Sequence, residues 1–328
     1  MGIKRPEIWS APGGELEEEK LKKAAQMLRE GELIAFPTET VYGVGTDAWS
    51  RRAVERLSRA KNRPPDMPFS LQLSRPEDAE GLTVSIPGAV KDLIDTFWPG
   101  PLTLVLPAAE RVPFWMQGPG GTVGLRLPDV LAARELPRFL GRPLASTSAN
   151  LSGRPSPTTV DHVLADLGQE VAVVIDSGES GWGLESTVLD LTRPRQPRIL
   201  RQGTLEAEAL EKILKQKITI VTTSERPHYR PKVPLFTCSE EEKALEVLSR
   251  RGYKRVSLLS PGDPLPGIQD FRKIRGDREG IKEFYRLLRD AEEKADAILA
   301  RPPETGPYAG LITQRLFKAA VEHIGGVE

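Results

Sequence analysis

Short apolar runs alternate along the chain with charged stretches of helical period, and this alternation predicts a mixed α/β protein. Between Glu15 and Glu30, Leu16, Leu21, Ala24, Ala25 and Leu28 form an apolar stripe, so a helix is expected up to Gly31. Residues 33–36 are wholly apolar and end at Pro37, which cannot donate to a ladder, and read as a buried strand. Ser50 can cap a helix reaching about Ala60, with Val54 and Leu57 facing inward. The same periodicities predict strands over 69–73, 102–106, 122–128, 171–175, 186–191, 198–200 and 218–221. Helices are expected over 89–97, from about Asp129, from Thr158 or Thr159 to about Leu167, and over 204–215. Residues 1–14 read as loosely structured, and 37–46 as a turn and loop after the strand.

Pro227, Pro231 and Pro234 then space out a semi-rigid linker. Beyond it, strands over 235–237, 255–259, 271–274 and 297–299 alternate with helices over 240–251, 280–294 and 310–321, the pattern of a small parallel sheet. For 328 residues, two domains are the natural expectation. They are placed at 1–222 and 235–328, joined by 223–234.

Lys+Arg and Asp+Glu both number 46, which argues against a broad basic nucleic-acid face while leaving room for a local patch. A single cysteine, Cys238, rules out an internal disulfide and suits a reducing, cytoplasmic compartment. Neither a signal-like apolar core nor a run long enough to span a membrane is present. The Walker A pattern, zinc-type Cys/His spacing and the Gly-x-Ser-x-Gly elbow are all missing. His162, His228 and His323 are scattered and read as structural or exposed. Trp98 and Trp115 read as core aromatics rather than stacking platforms, and Cys238 as an inert small residue.

What remains is chemistry by positioning. The 33–36 strand runs into Pro37-Thr38-Glu39-Thr40-Val41-Tyr42-Gly43, and a second strand-like run ends in Ser146-Thr147-Ser148-Ala149-Asn150. Hydroxyls and backbone N–H groups at strand ends suit carboxylates and phosphates. An ordinary loop is the alternative. Lys61 and Arg63 close a basic helix and can clamp a polyphosphate at a cleft mouth, although such charge runs also make solvated faces. Arg126 stands where its strand neighbours are apolar. A buried arginine is expensive unless paired, so it reads as a ligand-carboxylate clamp or as half of a structural salt bridge. In 69–73, Ser70 and Gln72 share one strand face, expected to be the cleft.

Pro37-Thr38-Glu39-Thr40-Val41-Tyr42-Gly43, Lys61-x-Arg63, Ser148-x-Asn150, Glu185-Ser186-Thr187-Val188 and Ile199-Leu200-Arg201-Gln202-Gly203, in this order, resemble the YrdC-type threonylcarbamoyl-AMP synthases over roughly two-thirds of the chain. The remainder resembles the C-terminal domain of the family's two-domain form. The resemblance implies a twisted mixed α/β sheet around a basic concave cleft, plus a smaller Rossmann-like unit. It implies a nucleotidyltransferase that joins L-threonine, bicarbonate or CO2 and ATP into threonylcarbamoyl-AMP, releasing pyrophosphate. The product would pass to a separate transferase that modifies tRNA, with at most a weak tRNA contact here and none with membrane.

By the same resemblance Lys61 and Arg63 are catalytic. Together with Met67, Thr122, Ser148, Asn150, Ser156, Arg201 and Tyr229 they bind ATP, with Mg2+ on the phosphates and no dedicated protein metal ligands. Thr40, Gln72, Arg126, Ser146 and Ser186 would hold threonine. Three departures stand out: Met67 where the family often has Asn, Gln72 where it often has His, and a linker reduced to Pro227-His228-Tyr229-Arg230-Pro231. Two other functions compete. One is a non-catalytic double-stranded-RNA module, against which the intact Lys61-x-Arg63 and Ser148-x-Asn150 pair argues. The other is a carbamoyl-adenylate transferase, whose accompanying acylphosphatase and zinc-finger segments are lacking.

Overall fold

A computed structural model describes residues 5–64, 67–221 and 228–325. In chain order the first part carries β1 (Glu7–Ser10), α1 (Glu18–Arg29), β2 (Ile34–Phe36), β3 (Gly43–Asp47), α2 (Arg51–Ala60), β4 (Ser70–Gln72), α3 (Gly88–Phe97), β5 (Leu102–Pro107), β6 (Thr122–Arg126) and α4 (Leu131–Leu140). It continues with β7 (Leu144–Ser148), α5 (Val160–Leu167), β8 (Val173–Asp176), β9 (Thr187–Asp190), β10 (Arg198–Arg201), α6 (Ala207–Leu214) and β11 (Thr219–Ile220). Beyond these lie β12 (Leu235–Cys238), α7 (Glu241–Arg250), β13 (Val256–Ser260), β14 (Asp270–Lys273), α8 (Arg278–Lys294), β15 (Ala297–Ala300), α9 (Ala309–Ala319) and β16 (Glu322–Ile324).

The chain divides into two compact units. In the first, one mixed sheet runs in the order β1-β8-β2-β3-β7-β4-β6-β5-β9-β10-β11. Period-2 alternation decides what each face meets. Val123, Leu125 and Leu127 of the β6 segment, Leu102, Leu104 and Leu106 of β5, and Leu71 join a core with α2, α3, α5 and α6. On the other face Ile34, Phe36, Leu144, Val173 and Ile175 pack with α1 and α4. Helix starts follow the expected caps. Ser50 Oγ accepts the Ala53 N–H of α2, and Thr159 Oγ1 accepts the His162 N–H of α5.

Two expectations are corrected. The N-terminal stretch is not wholly loose, because β1 pairs in parallel with β8 and buries Trp9. Residues 43–47 are not loop but strand β3, completely buried between β2 and β7. Its glycines are there for the Phe36 ring. A Cβ on Gly43 would stand 2.6 Å from Phe36 Cε2, so only glycine lets the ring lie across the strand.

The second unit holds a five-stranded parallel sheet, β14-β13-β15-β12-β16. Its membership is wider than 235–328, since residues 152–156, 182–184 and 228–234 belong to it as well. The reason is one face of α8. Arg278, Lys282, Tyr285, Arg289 and Glu292 follow the 4-3-4-3 spacing of a single helix stripe. The Arg278 guanidinium lies 3.1 Å from the Trp182 ring centroid. Tyr285 stacks on Tyr229 at 5.5 Å. Arg289 donates to Pro155 O, and Glu292 pairs with Arg154 at 2.6 Å while accepting from Lys232 N. The first part of the expected linker, 223–227, lies outside the described residues, as do residues 65, 66 and 222. No described helix is long and apolar enough to cross a membrane.

Candidate active site

Where α1 and α4 leave the sheet uncovered, a cavity of 520 Å³ opens in the first unit. Its floor is the alternate residue set of consecutive strands. Phe36, Gly43, Ser146 and Ser148, Ser70 and Gln72, Thr122, Gly124 and Arg126, Thr103 and Val105, Ser186 and Val188, and Arg201 all line it. The register stacks them into rows: Ser70 opposite Ser146 and Gly124, and Thr103 opposite Arg126 and Val188. Core-facing leucines on the intervening positions therefore fix where every hydroxyl points.

Three guanidiniums enter this hydroxyl-lined space. Arg63 donates from Nε to Met67 O at 2.9 Å and from Nη2 to Pro68 O at 2.8 Å, and lies over Phe69. Arg201 donates from Nε to Ser186 O at 3.1 Å and from Nη2 to Ser186 Oγ at 3.0 Å. Burial, and then repulsion from Arg201, lowers the Arg63 pKa to about 10, so Arg63 stays charged near neutrality against the repulsion of its neighbour. Neither Nη1 has a protein partner among the described residues. Arg126 is the third. Its Nη2 donates to Glu39 Oε1 at 2.7 Å and to Thr40 Oγ1 at 2.6 Å. The salt bridge weighed as the alternative for Arg126 therefore exists, and the same side chain also lines the cavity. Gly203 packs behind one wall. A Cβ there would fall 2.3 Å from Glu185 O, so its backbone lies directly against the segment that leads through Ser186 into β9.

Of the residues expected at a site, Arg63, Met67, Gln72, Thr122, Arg126, Ser146, Ser148, Ser186 and Arg201 come together here. Others do not line it. Lys61 is 1% exposed, and its Nζ donates to Ser148 O at 2.5 Å and to Asn150 O. Burial, with Arg63 adding repulsion, holds its pKa well below the ordinary lysine value. Its amine braces the end of β7, and the side chain does not line the cavity. Asn150 is buried beside it, with Nδ2 donating to Leu151 O at 2.8 Å. Thr40 is fully buried behind Arg126, and Thr38 lines the cavity in its place.

Gln72 lines the cavity with Ser70, but its Nε2 is taken by Ala133 O of α4 at 2.7 Å. Ser156 and Tyr229 belong to the second unit, where Tyr229 stacks on Tyr285 under the Arg315 guanidinium. The arginines of α2 do not line the cavity either. Arg51 pairs with Glu55, and Arg56 with Glu32.

Sequence reasoning missed Thr38, Tyr42, Thr103 and Glu185, all cavity-lining. Thr103 was findable, being the polar residue on alternate phase in an apolar strand. Tyr42 was hidden in a loop-like motif. Its hydroxyl donates to Gly178 O at 2.7 Å, and burial raises its pKa. None of the scattered histidines lines the cavity; His162 Nδ1 accepts Thr158 N, and His323 Nδ1 meets Thr237 Oγ1.

Residues 26–203 match the Sua5/YciO/YrdC family model (telomere recombination). The chain belongs to the Sua5/YciO/YrdC family. Threonylcarbamoyl-AMP synthase of Pyrococcus abyssi is 46% identical, the alignment covering 93% of this chain and 95% of that protein. Its counterpart from Bacillus subtilis is 36% identical, covering 92% and 93%. Among solved structures, P. abyssi Sua5 complexed with L-threonine superposes with a TM-score of 0.87 at 34% identity, covering 98% of this chain and 99% of that one. Escherichia coli YciO, at 24% identity, shares the fold with a TM-score of 0.58 over 62% of this chain and 99% of its own. The YrdC-like mixed α/β fold expected from the motifs is thus the fold found. With Sua5 relatives of this kind along nearly its whole length, the chain is an enzyme.

Proposed function

We propose that this Sua5-family chain is a threonylcarbamoyl-AMP synthase, joining L-threonine, bicarbonate or CO2 and ATP with release of pyrophosphate. The observation that carries the reading is the pair of mutually repelling guanidiniums, Arg63 and Arg201, in a cavity that also presents the hydroxyls of Thr38, Ser70, Thr103, Ser146 and Ser148. A polyphosphate between them relieves the repulsion and takes their Nη1 donors. Arg126, a strand away from Thr103 and its partner Ser186, suits the carboxylate of an amino acid. Ser146 and Thr38 supply short hydroxyls around the same ligand.

In the reaction the threonine amine gives up a proton and adds to the carbon of CO2. An oxygen of the resulting carbamate attacks the α-phosphorus, and the bond to the β-phosphate oxygen breaks. The protein's part is alignment and neutralisation of phosphate charge by Arg63 and Arg201. Lys61 serves by holding the β7 end that carries Ser148. Mg2+ enters as MgATP. Glu185 is the one carboxylate of the lining among the described residues, which fits a metal carried on the phosphates rather than by the protein. The adenylate would be consumed by a separate cytoplasmic transferase acting on tRNA, this chain touching tRNA weakly if it does so.

The test is pyrophosphate release with all three substrates and Mg2+. It should stop when threonine, bicarbonate or ATP is left out. Release that ignores threonine, or none at all from folded protein, would end this reading.

A further inference from the structure

We infer that Glu39 is the positioning residue that aims Arg126 and thereby sets how tightly the amino-acid substrate is held; this rests on the reading of Arg126 as the carboxylate clamp. Glu39 lies outside the cavity lining, with its side chain 12% exposed. Both carboxylate oxygens are used. Oε1 accepts Arg126 Nη2 at 2.7 Å, and Oε2 accepts the Asp129 backbone N–H at 2.8 Å. One side chain thus ties the 37–42 loop to the end of β6 and to the turn leading into α4.

Thr40 completes the hold. Thr38 Oγ1 donates to Val41 O at 2.6 Å while receiving the Thr40 and Val41 N–H groups. Its only hydrogen is spent there, so in the 2.8 Å contact between the two hydroxyls Thr40 is the donor. The Thr40 oxygen therefore offers lone pairs to Arg126. Both Nη2 hydrogens of Arg126 are then fixed from behind by two acceptors of matched polarity, and the guanidinium plane is set.

Arg126 Nη1 has no hydrogen-bond partner among the described residues and, unlike the buried Nε, is not sealed from the cavity. An orphaned donor beside a cavity calls for an acceptor, and a ligand carboxylate supplies one. Arginine carries large rotamer freedom, so a guanidinium locked before the ligand arrives loses little on binding. Without Glu39 the same charge would remain, but its direction would not.

The test is a double-mutant cycle read by pyrophosphate release, titrating threonine and ATP separately for wild type, Glu39→Ala, Arg126→Ala and the double variant. Glu39→Ala should raise the threonine KM about tenfold and leave the ATP KM within about twofold, the size of one charge-assisted hydrogen bond. Adding Glu39→Ala to Arg126→Ala should change the threonine KM by no more than about twofold, because Glu39 acts only through Arg126. Three results overturn the inference: an equal penalty in the Arg126→Ala background, equal shifts for both substrates, or no shift. Should Arg126→Ala leave the threonine KM unchanged, the clamp reading itself fails and the inference with it. If Glu39→Ala does not fold, Glu39→Gln enters the same cycle under the same criteria. Its amide can accept from Arg126 or Asp129 but turns a donor toward the other.

Discussion

Replacing Lys61 with methionine separates a bracing amine from a phosphate-binding ammonium. The side chain is 1% exposed, and its Nζ serves two backbone carbonyls, Ser148 O and Asn150 O. Burial, and then the neighbouring Arg63 charge, pushes its pKa far down, with Asp166 pulling weakly the other way. A neutral amine has two N–H donors for those two carbonyls, so the bonds survive loss of the charge. Lys61→Met keeps most of the apolar stem but strands both acceptors. Each stranded carbonyl costs about 1–3 kcal/mol. Methionine also removes an amine that was costly to bury, so the net loss at neutral pH should be about 2–4 kcal/mol.

The pH dependence is the sharper readout. Lysine in the unfolded chain keeps its proton up to its ordinary value near 10.5, while the folded protein releases it earlier. Between the lowered folded value and 10.5 the unfolded state binds more protons, so stability from this group rises with pH, by at most about 1.4 kcal/mol per unit. Below the folded value both states are protonated and the slope vanishes. Urea unfolding of both proteins between about pH 6.5 and 9.5 should therefore show wild type gaining on Lys61→Met as pH rises. Parallel stability curves would mean that Lys61 stays charged in the fold, and would refute the argument. Turnover should fall as well, because the Ser148 end of β7 loses its brace.

Other perturbations test neighbouring claims. Arg201→Ala removes donors to Ser186 and the charge facing Arg63, and should weaken MgATP binding in calorimetry about tenfold or more; unchanged affinity would take Arg201 out of the phosphate site. Gln72→Leu loses the buried bond to Ala133 O and should lower unfolding stability by about 1–3 kcal/mol, whereas a threonine defect at full stability would place the glutamine's work in the ligand pocket instead. Gly183 has φ of +71°, and a Cβ there would stand 2.1 Å from Lys282 O, so Gly183→Ala should cost about 1–3 kcal/mol; an unmoved melting temperature would contradict the seating of residues 182–184 on α8.

Most of the fold was legible because its signals are local. Apolar runs bounded by proline and glycine became strands, and caps such as Ser50 and Thr159 marked helix starts. The failures share a physical cause. β3 reads as loop because Gly43 and Gly45 carry no side chain, and what makes them strand residues is the Phe36 ring of the neighbouring β2. β1 depends on pairing with β8, more than 160 positions away in the chain by its Glu7–Val173 register. The α8 stripe shows an acceptable 4-3-4-3 period in sequence, yet nothing local reveals that 152–156 and 182–184 are what it grips.

The site divides along the same line. Arg126 could be found from residue type and strand phase, Ser186 from the family's motif, and Thr103 should have been found, since a polar residue on alternate phase in a leucine strand must face away from the core. Lys61 could not be placed that way. As the last residue of a basic helix it looks like a surface cation, and only the return of β7 beside it puts two carbonyls at its amine. Glu39 was hidden for the complementary reason: a loop glutamate between two threonines reads as solvated until Asp129 and Arg126 arrive from 90 and 87 positions downstream. Charged side chains that act on other side chains carry no periodicity of their own. In this chain the ligand-facing groups follow strand alternation, whereas the groups that hold them, Lys61 and Glu39, follow tertiary contacts, and experiments on the two sets should therefore differ: losses of binding for the first, and losses of geometry transmitted through Ser148 or Arg126 for the second.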